Sequence, residues 1–223
     1  MNSTTTQFWS GVAAEDFDLK TQSSGRVQGI QRVADLARPH LMQEEHLSVD
    51  LGCGTGLLAS VIGDRRIVGI DFSGPLLAIA RQRMDSVIQQ SIFEVQFEAE
   101  SVHNTFTLFV MDDYPSDQKE AFFSRVFSWL KPAGHFFLAA YSPNDERMGK
   151  LKRELNRKLR TDFTIHLEGQ SFYEDKLQSC GFSISTAEVV EVMGFYQAES
   201  EEVEVQREFI LMVAEKPHRG HQN

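Results

Sequence analysis

Several classes of protein are excluded by what this chain has little of. Two cysteines cannot build a disulfide framework, and one of them, Cys53, lies inside a glycine-rich turn. That fits a reducing compartment. A basic footprint is missing as well. The net charge of −10 argues against a nucleic-acid surface, because phosphate binding needs clustered cations. The longest uncharged apolar runs, 106–111 and 136–141, are far too short to span a bilayer. The first seven residues have neither a basic nor an apolar region, so no signal peptide is visible and a cytoplasmic location is expected.

What is present fits one domain. At 223 residues, 41% hydrophobic and 24% charged, the chain can bury one sizeable core and a small lid. Apolar periodicity predicts a short amphipathic helix within 5–20 followed by a loop, and a second helix over 25–38 that Pro39 stops. Strands then alternate with helices. Strands are expected over 46–51 and 66–71, then a helix with Ser73 as N-cap running to 88. Further strands follow over 92–97 and 107–111, a helix over 116–130, a turn at 131–134 and a strand over 135–141. After 141 the pattern gives a basic helix over 147–160, a short helix over 172–180 capped by Gly181, and two closing strands over 183–192 and 205–215. An acidic loop, 194–204, is expected between those strands. The class is α/β: a doubly wound, mostly parallel, Rossmann-like sheet of seven strands with an antiparallel closing strand and a helical lid. The expected divisions are an N-terminal lid segment (1–24), a ligand-binding core (25–141), a helical lid insertion with the last helix (142–180) and closing strands (181–216).

The chain is organised around residues 48–56, Ser-Val-Asp-Leu-Gly-Cys-Gly-Thr-Gly. A buried strand runs into a turn where Gly52, Gly54 and Gly56 remove every Cβ, so a ligand can lie against backbone N–H groups and the start of the next helix. A nicotinamide or flavin enzyme would carry G-x-G-x-x-G near the N-terminus. Here the spacing is G-x-G-x-G, with about 45 residues before it. No Tyr-x-x-x-Lys pair and no Walker lysine occur, which removes short-chain dehydrogenase and phosphate-loop chemistry. Asp71 closes the second predicted strand 19 residues after Gly52, about the separation that puts a carboxylate on a ribose.

Residues 49–56 resemble the first motif of class I S-adenosylmethionine-dependent methyltransferases. Gly69-Ile70-Asp71 with Phe72-Ser73 resembles the second. The run 96–101, Gln-Phe-Glu-Ala-Glu-Ser, resembles the acidic turn after the third strand, and 106–110 the fourth strand. Leu-Lys-Pro-Ala-Gly-His at 130–135 resembles the turn before the fifth. The matches fall in order over residues 25–141. Glu98 replaces the commoner Asp, and Thr107 replaces an Asp usual in the fourth strand. The resemblance implies S-adenosyl-L-methionine as cofactor. Gly52, Cys53 and Gly54 would face its amino-acid end, with Asp50 on the methionine ammonium and Asp71 on the ribose hydroxyls. Glu98 and Ala99 would meet the adenine edge, with Met111 and Phe72 lining the ring. Cys53 is read as a backbone contributor and not a nucleophile.

Methyl transfer from a sulfonium needs alignment and desolvation more than acid–base chemistry, so no obligatory catalytic motif is expected. The resemblance puts the reacting atoms after the fourth strand. Asp112, Tyr114 and, from further along, His166 are candidate catalytic groups, with Asp113 a further contact. Phe8, Trp9, Phe17, Tyr141 and Tyr173 are candidate acceptor walls, together with Phe163. Residues 112–115 do not match the Asn/Asp-Pro-Pro-Tyr motif of nucleobase and glutamine N-methyltransferases. Residues 147–160 carry seven Lys or Arg against one Glu, whereas 188–208 carry seven Glu against one Arg. A basic segment over the pocket favours an anionic small-molecule acceptor. Three alternatives stay open: binding S-adenosylmethionine without transfer, a metal-dependent catechol-type O-methyltransferase using Asp112 with Asn144 and Asp145, and a nucleotide-binding oxidoreductase. Apart from the catechol-type reading, no metal is expected.

Overall fold

Strands buried on both faces need helices on both sides, and the apolar runs of this chain supply them. The computed structural model describes residues 14–41, 45–151, 165–198 and 201–218. β1 (Ser48–Leu51) is buried at all four positions, and the last six residues of β5 (Leu130–Tyr141) are likewise buried. Alternate side chains of such a strand enter opposite layers. Phe137, Ala139 and Tyr141 of β5 share a cluster with Phe209 and Leu211 of β7 (Glu201–Glu215), Ile30 and Val33 of α2 (Arg26–Ala37), and Leu58 of α3 (Leu57–Ile62). Phe136, Leu138 and Ala140 instead join Ile210 and Met212, Phe122 and Val126 of α5 (Ser116–Trp129), and Leu177 of α6 (Gln170–Ser179).

The remaining described elements are α1 (Ala14–Ser23), β2 (Val68–Asp71), α4 (Gly74–Ala80), β3 (Val87–Gln89), β4 (Val102–Leu108) and β6 (Ser183–Ala198). The sheet order is β3-β2-β1-β4-β5-β7-β6. β1 to β5 are mutually parallel, and β7 runs antiparallel to both its neighbours. The order reverses between β1 and β4, and ligands of such sheets bind in the crevice at that point.

Three local expectations are corrected. The helix after Ser73 ends at Ala80 rather than 88, because a turn over 81–83 swings Met84 (2% exposed) into the core, and the following residues pair with β2 as β3. Residues 92–97, expected as a strand, have no ladder partner. Ile92 and Val95 are buried, and the carbonyls of Phe93 and Val95 accept from Arg125, the first at 2.7 Å. The alternation was real, but α5 and not a neighbouring strand covers it. The acidic stretch 194–204 is also no simple loop. β6 and β7 pair as far as Ala198↔Glu201, with residues 199–200 outside the described set. Val205 and Arg207 pack inward while the glutamates face out. A Cβ on Gly194 would lie 2.5 Å from the Ser24 carbonyl, so the hairpin extends because the α1–α2 junction lies on it.

Smaller shifts have plain causes. β4 ends at Leu108, because Phe109 takes a left-handed φ of 59°. The turn 131–134 lies within β5 as a register shift, with Ala133 at φ 61°. Of the N-terminal helix, α1 is described and residues 1–13 are not. Of the basic segment, 146–151 is helical and 152–164 lies outside the described residues.

At the sheet end opposite the crevice, four histidines line a groove of about 790 Å³. His40 lies 3.8 Å from His135 and His46 3.9 Å from His103, ring to ring. His103 Nδ1 accepts the Leu47 N–H at 3.1 Å, which requires the neutral ring. Burial, with His46 and Lys131 adding to it, lowers the His103 pKa to about 4. The unfolded chain, with His near 6.5, therefore binds the extra proton first. This contribution to stability is complete above pH 6.5 and is lost as the pH falls towards 4. After allowance for solvent screening it amounts to roughly 1 kcal/mol. Urea midpoints between pH 7 and 4 should fall less steeply in His103→Gln than in wild type.

Candidate functional site

The glycine turn closes β1 on the reversal point of the sheet. Gly52 and Cys53 both donate to the Ile70 carbonyl, at 2.7 and 3.0 Å, and Gly54 N–H donates to Asp71 Oδ2 at 3.0 Å. These N–H groups are thus engaged on β2. What the glycines provide is room and backbone freedom. Gly52 sits at φ +83°, where a Cβ would come within 2.4 Å of Val110. Gly54 sits at φ +54°, and its Cβ would project towards Phe17 at 3.7 Å.

Two adjoining cavities meet over this turn. One, of about 530 Å³, is lined by Asp71, Phe72, Leu76 and Ile92 on one side and by Phe109, Val110, Asp113 and Tyr114 on the other. The second, of about 390 Å³, is lined by Asp50, Cys53, Thr55 and Leu57. Phe17, Arg26, Gly52, Gly54 and Leu108 border both. α1 is fastened across the turn by Asp18, which accepts from Thr55 Oγ1 at 2.6 Å and pairs with Arg83 at 2.5 Å.

The electrostatics follow from burial. Asp50 is 3% exposed, and desolvation, helped by Asp71, pushes its carboxyl up to about 7. Asp71 is raised by burial as well, but N–H groups of Ser73, Gly54 and Phe72 oppose the shift. Burial raises the Cys53 thiol well above its usual range, which keeps it from being a thiolate nucleophile. The Tyr114 phenol is likewise pushed up by burial and then by Asp113. Arg26 lies with its guanidinium 5.4 Å from the Phe17 ring and 5.1 Å from the Phe109 ring, and its Nε is buried without a partner.

The structure brings Asp50, Gly52, Cys53, Gly54, Asp71, Phe72, Phe17 and Tyr114 onto these cavities. It places the other candidates elsewhere. Met111 is fully buried in the α5 layer, because the twist at Phe109 turns it under the sheet. Glu98 and Ala99 are exposed in a turn held by Ser101 Oγ on the Glu98 carbonyl, and Ile92 occupies the wall position instead. Asp112 points away from the cavities. Its Oδ2 accepts the Tyr141 N–H at 3.3 Å, and burial, opposed by Lys119, pushes it up to about 8. The His166 main chain lies on that same rear side, its backbone N–H donating to the Asp112 carbonyl and its carbonyl accepting from Lys119 Nζ, each at 2.8 Å. Tyr173 is core, 6.3 Å from the Phe123 ring. Tyr141 is buried between Phe109 and Phe209. Phe8, Trp9 and Phe163 lie outside the described residues. In the catechol-type reading Asp145 would serve a cation, but its Oδ1 accepts the Met148 N–H and its Oδ2 accepts from Arg207 and Glu208. Among the described residues, no helix is long and apolar enough to cross a membrane.

Sequence reasoning missed Arg26, Ile92 and the α1 fastening. Nothing local marks Arg26: it is one cation at the start of a helix, and only the fold lays it over the glycine turn.

A reversed-order sheet, a glycine turn after β1 and an acid closing β2 all open on one cavity, the arrangement by which α/β folds of this kind hold an adenosine-containing cofactor at the switch point. Residues 49–134 match the family described as a methyltransferase domain. No curated protein matches the sequence. Solved structures do. A methyltransferase chain in complex with the Haloferax volcanii Trm112 methyltransferase activator aligns over 95% of this chain and 100% of its own, at 17% identity and a TM-score of 0.65. Magnesium protoporphyrin IX methyltransferase from Synechocystis PCC 6803 with bound SAH aligns over 86% and 83%, at 17% identity and 0.62. A SAM-dependent methyltransferase from Methanosarcina mazei aligns over 82% and 97%, at 18% identity and 0.61. At these identities the likeness is one of fold.

Proposed function

We propose that this methyltransferase acts on a small-molecule acceptor seated beside Phe109, Asp113 and Tyr114, and that it works by alignment and exclusion of water. The carrying observation is one cavity that runs from the glycine turn and Asp71 to the wall after β4. When bound, S-adenosylmethionine supplies a sulfonium methyl, which passes to a nucleophile's lone pair as the C–S electrons return to sulfur.

The residues fit that group. Asp71 stands where the ribose hydroxyls need an acceptor, and Phe72, Leu76 and Ile92 form an apolar slot for a purine. Asp50 and Arg26, which both line the adjoining cavity, match the ammonium and carboxylate of an amino acid. Val110, Phe109 and Phe17 keep water from the transfer region, which suits a step where charge is lost. Tyr114 stays neutral, so it can position an acceptor but not deprotonate it; Asp113 is the carboxylate on that wall that can take a proton. The net charge of −10 supports a small molecule over nucleic acid.

The test is incubation with S-adenosylmethionine and a library of small phenols, amines and acids, read by mass spectrometry for S-adenosylhomocysteine and methylated product. Turnover with at least one acceptor is expected. Tight donor binding with no product from any class would favour the non-transferring alternative.

A further inference from the structure

The walls of the two cavities are unbalanced in charge. Among the described residues that line them, Asp50, Asp71 and Asp113 stand against one cation, Arg26. Asp50 is 3% exposed, and its carboxylate receives no hydrogen bond from the described residues. Arg26 Nε is buried without a partner. Shielded charges of this kind are costly until a ligand group of opposite sign meets them. On the reading above, those groups are the donor's ammonium and carboxylate, and Asp71 serves the ribose. Three carboxylates against one guanidinium leave two negative charges. S-adenosylmethionine carries one net positive charge, that of its sulfonium, and offsets one of them. The other remains, and Asp113 is the carboxylate on the wall after β4.

The surroundings of Asp113 suit a cation and disfavour an anion. Phe109, Tyr114 and Phe72 line the same cavity, and the Phe109 ring already has a guanidinium 5.1 Å from its centre. Aromatic faces attract ammonium groups in the same way. The Tyr114 phenol shows the sign of the local field: burial, then Asp113 and then Asp71 hold its proton in place. A phenol acceptor in this cavity would meet the same acids, and its phenolate would be as hard to form. A carboxylate would be repelled. Of the basic segment that favoured an anionic acceptor, 152–164 lies outside the described residues, and the described walls have the opposite sign.

We propose that the methyl acceptor is an amine that enters as its ammonium ion, with Asp113 as the group that receives the charge and Phe109 and Tyr114 as the walls beside it. This rests on the methyltransferase reading and names its substrate class. In the reaction the ammonium gives one proton to the Asp113 carboxylate. The freed nitrogen lone pair forms the N–C bond as the C–S electrons return to sulfur. The product leaves as the methylated ammonium, and Asp113 passes its proton to water. An ammonium and a sulfonium repel when brought together, and the carboxylates of Asp71 and Asp113 on the same cavity offset that repulsion.

The experiment is calorimetric titration of the protein, with and without S-adenosylhomocysteine, against benzylamine, its neutral counterpart benzyl alcohol and the anion benzoate. Benzylamine should bind at least about tenfold tighter than benzyl alcohol, as close charge pairs do, and benzoate should bind weakest of the three. Asp113→Asn should remove the preference for the amine and leave benzyl alcohol binding and S-adenosylhomocysteine affinity within about twofold. Asp113→Glu should keep part of the preference. Should Asp113→Asn not fold, the ranking of the three probes on wild type still decides. Equal binding of the three, tighter binding of benzoate, or no measurable binding of benzylamine overturns the proposal. So does a loss of S-adenosylhomocysteine affinity in place of amine affinity in Asp113→Asn, which would make Asp113 a donor ligand. Failure of wild type to bind S-adenosylhomocysteine would count against the methyltransferase reading, while the titration without it still reads the cation site.

Discussion

Gly52→Ala should abolish measurable S-adenosylmethionine binding and lower the melting temperature, whereas Gly63→Ala should leave binding intact. Both glycines hold left-handed φ angles, +83° and +81°, so both alanines carry the backbone penalty of about 1–2 kcal/mol. They differ in space. The added carbon at 52 would lie 2.4 Å from Val110 Cγ2 and 3.2 Å from its Cγ1, while at 63 it meets nothing within 4 Å. Val110 lines the cavity, and relief of the clash must move either it or the Gly52–Ile70 hydrogen bond. The destabilisation expected at 52 is therefore about 2–5 kcal/mol, strain plus overpacking. Thermal denaturation and equilibrium dialysis of labelled donor check both variants. If the two alanines behaved alike, the close approach to Val110 would have no part in the site.

Donor affinity should fall as the pH drops below 7, and Asp50→Asn should remove that dependence together with at least tenfold of the affinity at pH 8. Asp50 lies in the cavity wall with its carboxyl raised to about 7 by burial and by Asp71. An ammonium bound there requires the carboxylate, so below pH 7 binding must first expel a proton, costing up to tenfold per pH unit. The sign for stability is opposite. The folded ligand-free protein holds this proton between pH 4 and 7 while the unfolded chain does not, so the contribution is favourable at low pH and lost as the pH rises through 7. Above it, the buried charge costs at most about 4 kcal/mol. Asp50→Asn should consequently raise the melting temperature of the ligand-free protein at pH 8 while weakening donor binding. A variant that kept the wild-type pH profile of binding would remove Asp50 from the ammonium site. A site residue that destabilises the empty fold is what a buried binding carboxylate entails.

The two predictions rest on features the sequence carries differently. Gly52 was legible at once, since three glycines between a buried strand and a helix have a local cause: only backbone without Cβ makes that turn. Asp71 was legible by its spacing from the turn, and the strands of β1, β4 and β5 by their unbroken apolar runs. Asp112 and Asp113 show the limit. They are adjacent and chemically identical, yet one lies beneath the sheet against Tyr141 and Lys119 and the other lines the cavity. The left-handed turn at Phe109 decides which is which, and no pattern in residues 106–114 announces it. The alternation at 92–97 misled for a related reason. Period two reports two faces with different surroundings, and α5 with Arg125 can provide those surroundings as well as a strand can.

The sequence alone determined the class of fold and pointed to the donor and to the end of the sheet proposed to hold it, because turns, caps and apolar periodicity are encoded within a few residues of where they act. Which acid faces the ligand, which arginines lack a partner and how far the acidic hairpin extends were decided only in the tertiary structure. Those are properties of contacts between residues as distant as Arg26, Asp145 and Arg207, and a charge has a partner or lacks one only after the chain has brought them together.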